Sequence, residues 1–550
     1  VAVSVMISFF VSMTLTPMMS AKLLRHHGEG GKIAQAIEKV LRATEAFYKR
    51  TLRWMLTHRG AMVGLAVVVL VATFALAGGL KSTFIPQADR GEFKIAVELP
   101  VDADLESTRR VLADIEAQVK DLPGVRTVLT AAGGGAQEQV NKGEVIVGLA
   151  PMSERAYTQH EMMAWLRENL VRPANAIVGL QESVSMGGGR TQMIQFNVRG
   201  ADFAELEAAA DFLLAKMRAT PGFVDIDSTY RPGKPQIDVK IDRERAASVG
   251  VPAATVGTTL RAFLGGDKVT DFRQGIETYD VVLRLPDHVR ASPEAIGALT
   301  LRGANGQLVE LRNIATLEEG TGPAQIDRQS RERQITLLAN LEGLALGEAM
   351  AMLESWAEEL PPTITTDHGG NAKNLAESGV AFATAILLAI VLLYMILAAQ
   401  FESLVHPFTI MMSLPFAVIG AVGSLVVFDL EMSLFAMIGM IMLMGLVAKN
   451  GILLVDFTNQ VRARGVSTFE ALMEASPLRL RPILMTTVAM IGGMVPVALA
   501  RGDGAEMRMP MAIAIIGGLI TSTVLTLGVV PVVYSLVDDA QAKLGRILRR

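Results

Sequence analysis

The chain has 550 residues, of which 51% are hydrophobic and 19% charged, and its formal net charge is −4 at pH 7. This balance gives no support to nucleic-acid binding, and the absence of cysteine excludes disulfide scaffolds, cysteine-based zinc sites and thiol catalysis. The apolar residues are concentrated in a few long runs, which indicates a membrane protein.

The first apolar run, residues 1–24, has no basic n-region and no cleavage site, so its pattern is not that of a signal peptide. We interpret it as the end of a transmembrane helix whose beginning is missing, which predicts that the polypeptide is a fragment. Segment 25–60 follows with basic residues and with apolar residues near helical spacing. It is typical of an amphipathic helix on the cytoplasmic membrane surface, with a plain solvated helix as the alternative. The apolar positions are Ile33, Ile37, Val40, Leu41, Tyr48, Leu52 and Met55.

Six further runs are long enough to cross a bilayer, whose core of roughly 30 Å requires about 20 apolar residues in a helix. The alternative is a set of buried helices in a large soluble core. Lys and Arg are frequent in 22–59, 459–481 and 538–550, which predicts that these segments are cytoplasmic. The insertion 81–376 then lies outside, in the periplasm of a two-membrane cell. The six runs are 61–80, 377–398, 405–428, 433–457, 482–500 and 510–537.

The insertion repeats a unit of strand, amphipathic helix, tight turn and strand. Three copies are visible, and the first two have a Pro-Gly turn after the helix. A right-handed crossover makes each copy a βαβ unit, and paired units predict a ferredoxin-like split sheet. Between the second and third copies, 235–320 has the pattern of an inserted module. The strand and helix of the three copies are 92–99 with 104–121, 191–199 with 203–219, and 334–341 with 345–360.

Lys449 lies well inside the run 433–457. A lysine at the centre of a membrane helix costs roughly 2.5–3.5 kcal/mol on insertion scales and indicates a functional site. Asp456 is about 10 Å further along the helix, which is too far for a direct pair. The ammonium therefore requires a carboxylate from outside this chain, unless it is a neutral lysine in a water-filled crevice. Asn450 and Thr486 extend a polar path, although a lone threonine in a span usually bonds its own helix.

Other kinds of site are not supported by the sequence. It contains no phosphate-binding loop, so ATP is not an obvious energy source, and no nucleophile–base constellation is visible. The seven histidines have no metal-ligand spacing. The glycine runs 133–135 and 187–189 are either flexible loops or simple turns.

Motifs in order along the whole chain resemble those of the second half of a hydrophobe/amphiphile efflux pump of the resistance-nodulation-division (RND) family. Any one match is weak, but their common order makes chance agreement improbable. The motifs are Phe84-Ile85-Pro86 with Asp89, Gly91 and Leu99-Pro100; Gly250-Val251 with Leu264-Gly265-Gly266, Val269 and Phe272; Gly445 with Ala448-Lys449-Asn450 and Ile452-Leu453; Arg479 through Thr486; and Gly517-Gly518 through Pro531-Val532.

The resemblance implies an α+β membrane protein: a helical transmembrane bundle of six complete spans plus the end of a seventh, and a periplasmic porter domain of ferredoxin-like βαβ units with an inserted docking subdomain. The implied domains are 1–24, the end of a transmembrane helix; 25–60, a cytoplasmic amphipathic linker helix; 61–80, a transmembrane helix; 81–190, the first porter subdomain; 191–234 with 321–376, the second; 235–320, the docking subdomain; 377–537, a five-helix transmembrane bundle; and 538–550, a cytoplasmic tail.

The same resemblance implies roles for individual residues. Lys449, Asn450, Arg479 and Thr486 match or adjoin the proton relay, in which the lysine pairs with two aspartates on the fourth span of the absent N-terminal half. Arg231 matches a proximal-pocket arginine, and Asp327 an acid in the same cleft.

Loop 131–141 matches the family's switch loop, with Gly133, Gly134 and Gly135 at its centre. Known drug pumps carry several phenylalanines around this loop, whereas here Leu129, Ala136 and Ile146 stand at or near those places. Aromatic pairs contribute about 0.5–1.5 kcal/mol beyond burial, so this departure weakens the expectation of aromatic drugs.

The function implied is proton-coupled efflux of amphiphilic or hydrophobic compounds from the periplasm or inner-membrane leaflet toward an outer-membrane channel. The protein would be a secondary transporter of the Gram-negative inner membrane and not an enzyme, driven by the proton-motive force without a cofactor. Its implied partners are its own N-terminal half, two further copies in a homotrimer, a periplasmic adaptor (membrane fusion) protein and an outer-membrane channel.

Two alternatives share parts of this pattern. A lipid or envelope-precursor exporter with the same proton-coupling mechanism fits the aromatic-poor loop. A membrane-anchored binding or sensor module would use the periplasmic domain alone. Metal export is disfavoured because the Met-Pro-Thr-Thr run of that branch is missing, although Met152, Met186 and Met193 are available.

Overall fold

The structure is a computed structural model that describes residues 2–23, 32–133, 139–182, 192–231, 234–290, 292–304, 306–322, 326–499, 502 and 504–548. It divides into two compact units. Residues 1–88 with 375–550 form the helical unit, and residues 89–374 form the sheet unit.

The described part of the chain contains helices and strands whose bounds are as follows. The helices are α1 Ala2–Leu23, α2 Lys32–Thr57, α3 Arg59–Gly78, α4 Leu105–Val119, α5 Gln159–Asn169, α6 Phe203–Ala219, α7 Arg243–Ser248, α8 Ala253–Leu260, α9 Asp287–Arg290, α10 Pro293–Gly297, α11 Leu346–Ala357, α12 Gly370–Phe401, α13 His406–Met411, α14 Leu414–Val427, α15 Leu434–Arg462, α16 Thr468–Ala498 and α17 Met509–Leu548. The strands are β1 Glu92–Glu98, β2 Val125–Ala132, β3 Lys142–Leu149, β4 Ile177–Glu182, β5 Ile194–Gly200, β6 Phe223–Ser228, β7 Lys234–Ile241, β8 Asp267–Gln274, β9 Glu277–Leu283, β10 Thr300–Arg302, β11 Leu308–Glu310, β12 Ala315–Gly322, β13 Asp327–Gln329, β14 Glu332–Leu341 and β15 Thr365–His368.

Seven helical segments of the described residues are long and apolar enough to cross a membrane, by length and composition. Six of them overlap the six apolar runs found in the sequence, and the seventh falls in the N-terminal run. The run 405–428 is two helices, α13 and α14, because Pro415 near the start of α14 has no N–H to continue the hydrogen-bond ladder. The run 482–500 is the second part of a longer helix, since α16 begins at a capping box formed by Ser467 and Glu470.

Helix α17 is the centre of the helical unit and packs against α14, α15 and α16. Glycines allow this packing: a Cβ built on Gly420 of α14 would collide with the backbone carbonyl of Gly517 on α17. Nearby, the Ser424 hydroxyl donates to the carbonyl of Ile513 at 3.1 Å. Small residues that bring helix backbones together are typical of helices packed within a membrane.

The outer helices of this unit bury little of their apolar surface within the described chain. The apolar window of α1 has none of its residues buried, and those of α3 and α12 have 11% and 6%. In α15 and α17 the corresponding fractions are 56% and 61%. Large exposed apolar surfaces of this kind mark contacts with lipid or with another chain.

The sheet unit contains two larger sheets, of four and five described strands, and four strands of each follow the same order. In the first, the order is β2-β3-β1-β4, and each pair of neighbours is antiparallel. Strands β1 and β2 are therefore parallel and separated by β3, as a split βαβ unit requires. Buried residues of β1 such as Phe93 and Ile95 pack in one core with Leu112 and Ile115 of α4.

In the second sheet, β6 pairs with β14, β14 with β5 and β5 with β15, again all antiparallel. The order β6-β14-β5-β15 repeats that of the first sheet, with α6 against it and α11 against α6. The strand and helix copies at 92–121, 191–219 and 334–360 are thus confirmed as elements, with small shifts at their ends.

The sequence pattern missed a fourth unit, β3-α5-β4, so the count of three copies was wrong. This unit lacks the Pro-Gly turn that marks the first two copies, and Leu170-Val171-Arg172-Pro173 follows its helix instead. Its ends are held by another signal, a capping box at Thr158 and Glu161 that starts α5.

A buried ion pair holds the start of the first sheet. Arg155 and Asp89 are in contact, with side-chain exposures of 1% and 6%. The Asp89 carboxylate also accepts hydrogen bonds from the backbone N–H groups of Gly91 and Gln159. Burial by itself raises the pKa of Asp89, but these donors and the Arg155 guanidinium outweigh it and hold the pKa below its usual range.

Residues 234–322 form a separate module within the sheet unit. It consists of the antiparallel pair β7–β12, the short pair β10–β11 and the hairpin β8–β9, with α7 to α10 between them. Val256, Ile296 and Leu311 belong to its own small core. Every residue of the hairpin strands β8 and β9 is exposed in this chain.

Candidate functional site

Lys449 lies on the one face of α15 that the described chain leaves open. Between Leu434 and Asn459 the exposed residues are Ile438, Met442, Gly445 and Lys449, which recur at spacings of four, three and four. Such spacing places them in a single stripe along the helix. No described residue forms a hydrogen bond or an ion pair with the Lys449 ammonium. Helix α15 thus presents, on its uncovered side, a cation that has no partner in the described part of the chain.

The opposite face of α15 fixes this orientation. Leu443 fills the space left by Gly518 on α17, and Gly439 lies against Met511. The start of the helix is capped by the Ser433 hydroxyl, which accepts from the backbone N–H of Ala436. Because these contacts determine the rotation of α15 about its axis, they also determine the direction in which Lys449 projects.

Asn450 does not share the stripe with Lys449. It is 1% exposed, and neither its amide oxygen nor its amide nitrogen has a hydrogen-bond partner in the described chain. Leaving such a group unpaired costs about 1–3 kcal/mol, so polar groups of this kind are normally satisfied by water or by another chain. Consecutive residues of a helix are about 100° apart, so Asn450 lies on the buried side of α15 while Lys449 lies on the open stripe.

Buried hydroxyls on α17 are available near the level of Asn450. Two contacts between α15 and α17, Leu443 with Gly518 and Asn459 with Tyr534, join residues with the same offset along the two parallel helices. At that offset Asn450 is level with the turn between Ser522 and Thr526. Both hydroxyls are buried and without a partner in the described chain. Asn450 is thus on the buried side of α15, level with these two hydroxyls, and no hydrogen bond joins it to either of them within the described chain.

Arg479 of α16 contacts α15 through an aromatic ring. Its guanidinium carbon lies 4.5 Å from the centre of the Phe457 ring, and its Nε has no hydrogen-bond partner in the described chain. A cation over an aromatic face is attracted by the ring quadrupole. The sequence does not single out Phe457, because nothing in the pattern distinguishes it from a lipid-facing aromatic residue.

Thr486, two turns further along α16, bonds its own helix. Its hydroxyl donates to the carbonyl of Ile483 at 3.0 Å. This is the ordinary arrangement of a threonine in an apolar helix, which the sequence had left as the alternative. The structure brings Lys449, Arg479 and Thr486 onto two neighbouring helices but joins no two of them by a direct hydrogen bond.

Arg231 has a fully paired environment. It follows β6, and its Nε and Nη2 donate to the two carboxylate oxygens of Glu98 on β1 at 2.8 and 3.0 Å. Asp227 accepts from Nη2 at 2.8 Å, and the carbonyl of Tyr230 accepts from Nη1 at 3.2 Å. The predicted pocket arginine is therefore engaged by carboxylates of its own chain.

Charge and burial both act on the acid of this pair. Burial by itself raises the pKa of Glu98, but the hydrogen bonds and charge of Arg231, with Lys142 3.4 Å away, hold the pKa below its usual range. Since Glu98 ends a strand of the first sheet and Arg231 follows a strand of the second, the pair joins the two sheets.

A second set of contacts joins the same two sheets. Arg167 of α5 donates to Asp225 and to Glu342, each at 3.1 Å. The Asn340 amide on β14 donates to the carbonyl of Leu180 on β4 at 2.8 Å and to Asp225 at 3.1 Å. These residues were not identified from the sequence, because their partners lie more than 50 positions away in the chain.

The structure describes only some of the residues expected in the substrate pocket and the switch loop. Leu129 and Ile146 face each other across β2 and β3, and Leu129 is 62% exposed. Gly133 directly follows β2 and has a φ of +75°, a conformation that favours glycine. Asp327 begins β13, is half-buried and is in register with Gln334 of β14. Gly134, Gly135, Ala136 and Met186 lie outside the described residues.

Three comparisons place these features among known proteins. The family model described as the AcrB/AcrD/AcrF family matches residues 1–538. Multidrug resistance protein MdtC of Yersinia pestis bv. Antiqua (strain Angola) and of Yersinia pseudotuberculosis serotype O:3 (strain YPIII) are each 32% identical over 99% of this chain and 54% of their own length. A solved structure described as a heavy metal efflux pump, crystal form II, aligns with a TM-score of 0.78 and 28% identity, covering 91% of this chain and 53% of that one. The chain thus spans about half the length of the curated relatives it matches.

Proposed function

This chain belongs to the AcrB/AcrD/AcrF family of RND efflux transporters, and from that premise we propose that it supplies the C-terminal half of a proton-driven exporter. The observation that carries the proposal is the unpaired Lys449 on the open stripe of α15. An ammonium in a membrane helix requires a counter-charge, and the relatives have about twice the length of this chain. We assign the counter-charge to paired aspartates on a helix of the N-terminal half, packed against this stripe.

The coupling step follows from the charge of that site. With the aspartates ionised, Lys449 is held in an ion pair. When protons from the periplasm neutralise the aspartates, their attraction for Lys449 is lost. The helix packing that the ion pair had stabilised is then no longer favoured over an alternative packing. Deprotonation to the cytoplasm restores the first state. We assign Arg479, which contacts Phe457 of α15, and Asn450, the residue after Lys449, to tuning the charge and hydration of this site, whereas Thr486 contributes through its hydroxyl only if it leaves Ile483.

The two sheets of the sheet unit are where we expect the substrate to pass. Helix α12 begins at Gly370, directly after β15, and continues as one of the apolar helices, so the chain itself connects the second sheet to the bundle. A change in bundle packing would then move that sheet relative to the first. A cleft between the first and second sheets can open only if the Arg231–Glu98 and Arg167–Asp225 contacts break or stretch. These contacts therefore favour the closed state.

Amphiphilic or hydrophobic compounds are the substrate class that we propose. Leu129 and Ile146 give the exposed face of β2 and β3 an aliphatic rather than aromatic character. One aligned structure is described as a heavy metal efflux pump, so metal ions are the competing class. Export assays with a dye-like amphiphile and with divalent and monovalent metal salts separate the two. We further propose that the transporter is a homotrimer in the Gram-negative inner membrane and that it works with a periplasmic adaptor and an outer-membrane channel.

The test of the proposal is Lys449→Ala in the full-length transporter, expressed in a strain that lacks its own pumps. We expect efflux to fall to the level of the empty strain, while the purified protein keeps its oligomeric state and thermal stability. Met442→Ala is the matched control, because it truncates a side chain of the same stripe without removing a charge. Normal efflux by the Lys449→Ala transporter would refute the coupling role.

A further inference from the structure

Helix α2 has a docked face that the amphipathic pattern did not anticipate. Tyr48, Leu52 and Leu56 are buried against α16 and α17, and the Tyr48 hydroxyl donates to the carbonyl of Leu527 at 2.8 Å. Arg481 of α16 pairs with Glu38 at 3.1 Å. Protein of the same chain therefore covers these apolar residues of α2.

A second apolar stripe on α2 is not covered. Val40, Phe47 and Trp54 are spaced by seven residues and are 64%, 71% and 51% exposed. At 3.6 residues per turn they lie on one side of the helix, about a third of a turn from the docked face. The Trp54 ring stacks on His58 with ring centres 5.0 Å apart, which limits its rotation.

Four cations on the same helix have no partner among the described residues. Lys39, Lys49, Arg50 and Arg53 form no side-chain hydrogen bond or ion pair there, in contrast to Arg42, which pairs with Glu38. Lys39 and Arg50 lie within about 80° of Phe47, on the side away from the docked face. Lys49 is on the far side, about 160° from Phe47.

We propose that Val40, Phe47 and Trp54, with Lys39 and Arg50 beside them, form a binding site for an anionic phospholipid of the cytoplasmic leaflet. Helix α2 joins two apolar helices, α1 and α3, and its docked face lies against α16 and α17, so the stripe points away from these two helices. Tryptophan favours the membrane–water interface. Cations next to such a stripe attract acidic headgroups rather than zwitterionic ones. The inference rests on the proposed membrane location but not on proton coupling.

The three tryptophans of the chain make a direct test possible, because Trp165 and Trp356 lie in the sheet unit. The full transporter is reconstituted in nanodiscs of phosphatidylcholine that contain either brominated phosphatidylglycerol or brominated phosphatidylcholine at equal mole fraction. Bromine quenches tryptophan only at short range. The fluorescence difference between the native protein and Trp54→Phe isolates the signal of Trp54.

We expect Trp54 to be quenched by both lipids, with an at least twofold higher relative association constant for the anionic one. Lys39→Gln should lower this ratio, and the double variant Lys39→Gln/Arg50→Gln should bring it toward one. Lys49→Gln removes one charge, as Lys39→Gln does, but on the far side, and should leave the ratio unchanged. High salt should lower the ratio in the native protein.

Two results overturn the inference. Absence of quenching by either lipid means that protein, such as the other half of the transporter, or water covers the stripe. Equal quenching by the two lipids means that the stripe enters the membrane without selecting a headgroup. The same measurement on Lys449→Ala separates this site from the proposed function, because the lipid preference should survive there even when efflux is lost.

Discussion

Arg231 and Lys449 are both cations singled out by the sequence, yet the structure surrounds them in opposite ways. Arg231, in the sheet unit, is held by two carboxylates and by backbone carbonyls of its own chain. Lys449, in the helical unit, projects from an exposed stripe and has no partner among the described residues. The sheet unit therefore supplies the partners of Arg231 itself, whereas the described part of the helical unit supplies none for Lys449.

The difference separates two uses of a charged group. A cation whose partners lie in the same folded unit contributes mainly to stability and geometry, so its removal should appear in unfolding experiments. A cation whose partner must come from outside is free to change partners, so its removal should appear in activity. Lys449→Ala, proposed above, tests the second case, and the following variants test the first.

The largest loss of stability is expected for Asp89→Asn. The change leaves the Arg155 guanidinium buried without a counter-charge, which should lower the unfolding free energy of the sheet unit by about 3 kcal/mol. Urea unfolding followed by the fluorescence of Trp165 and Trp356 measures it. Asp271→Asn, in an exposed pair with Lys268, is the control and should unfold like the native protein. Equal stability of both variants would show that the buried pair is not structural.

Arg231→Ala should have the next largest effect. It leaves Glu98 and Asp227 close together and partly buried, so we expect a loss of about 2–3 kcal/mol in the same unfolding assay. Combining it with Glu98→Gln should recover part of that loss, because the two changes remove one interaction. If Arg231→Ala instead preserves stability and abolishes efflux, the comparison with Lys449 fails and the arginine is a substrate ligand.

Gly420→Ala tests whether the close packing of α14 against α17 contributes to stability, as the internal ion pairs of the sheet unit are expected to do. The new methyl group would meet the backbone of Gly517, so α14 and α17 must move apart at a cost of roughly 1–3 kcal/mol. Gly423→Ala on the same helix meets nothing within 4 Å and serves as the matched control. Thermal unfolding of the purified protein should show a lower transition temperature for the first variant alone.

The smallest effect concerns pH. The pKa of Glu98 is held below its ordinary value of 4.5, so its pairing with Arg231 stabilises the sheet unit fully above that pH. The contribution is lost as pH falls below 4.5 and through the lowered pKa. Unfolding free energy should therefore decline in this acidic window, and Glu98→Gln should show a shallower decline. Parallel curves for the two proteins would exclude Glu98 as a source.

Much of the fold was predictable because periodic patterns extend over whole elements. The helix expected at 203–219 is α6, Phe203–Ala219, and the strand expected at 92–99 is β1, Glu92–Glu98. The break between α13 and α14 and the unit β3-α5-β4 were missed, since one depends on where a proline falls in a helix and the other lacks the turn used to recognise the repeat.

The site was predictable only where a single residue is out of place in its surroundings. Lys449 stands out because a charge inside an apolar run has few explanations. Arg231 stands out only through the family resemblance, and its pairing with Glu98 joins positions 133 residues apart, which no local pattern encodes. The contact of Arg479 with Phe457 likewise depends on how two helices pack.

Gly445 has a consequence for the motion of its neighbour on the stripe. Long side chains on a helix lean toward the N-terminus, and Gly445 is the stripe position one turn before Lys449 in that direction. Nothing lies within 4 Å of a Cβ built there. The glycine thus leaves open space beside Lys449 on the stripe, and a valine at that position would occupy this space and restrict the rotamers available to the lysine side chain.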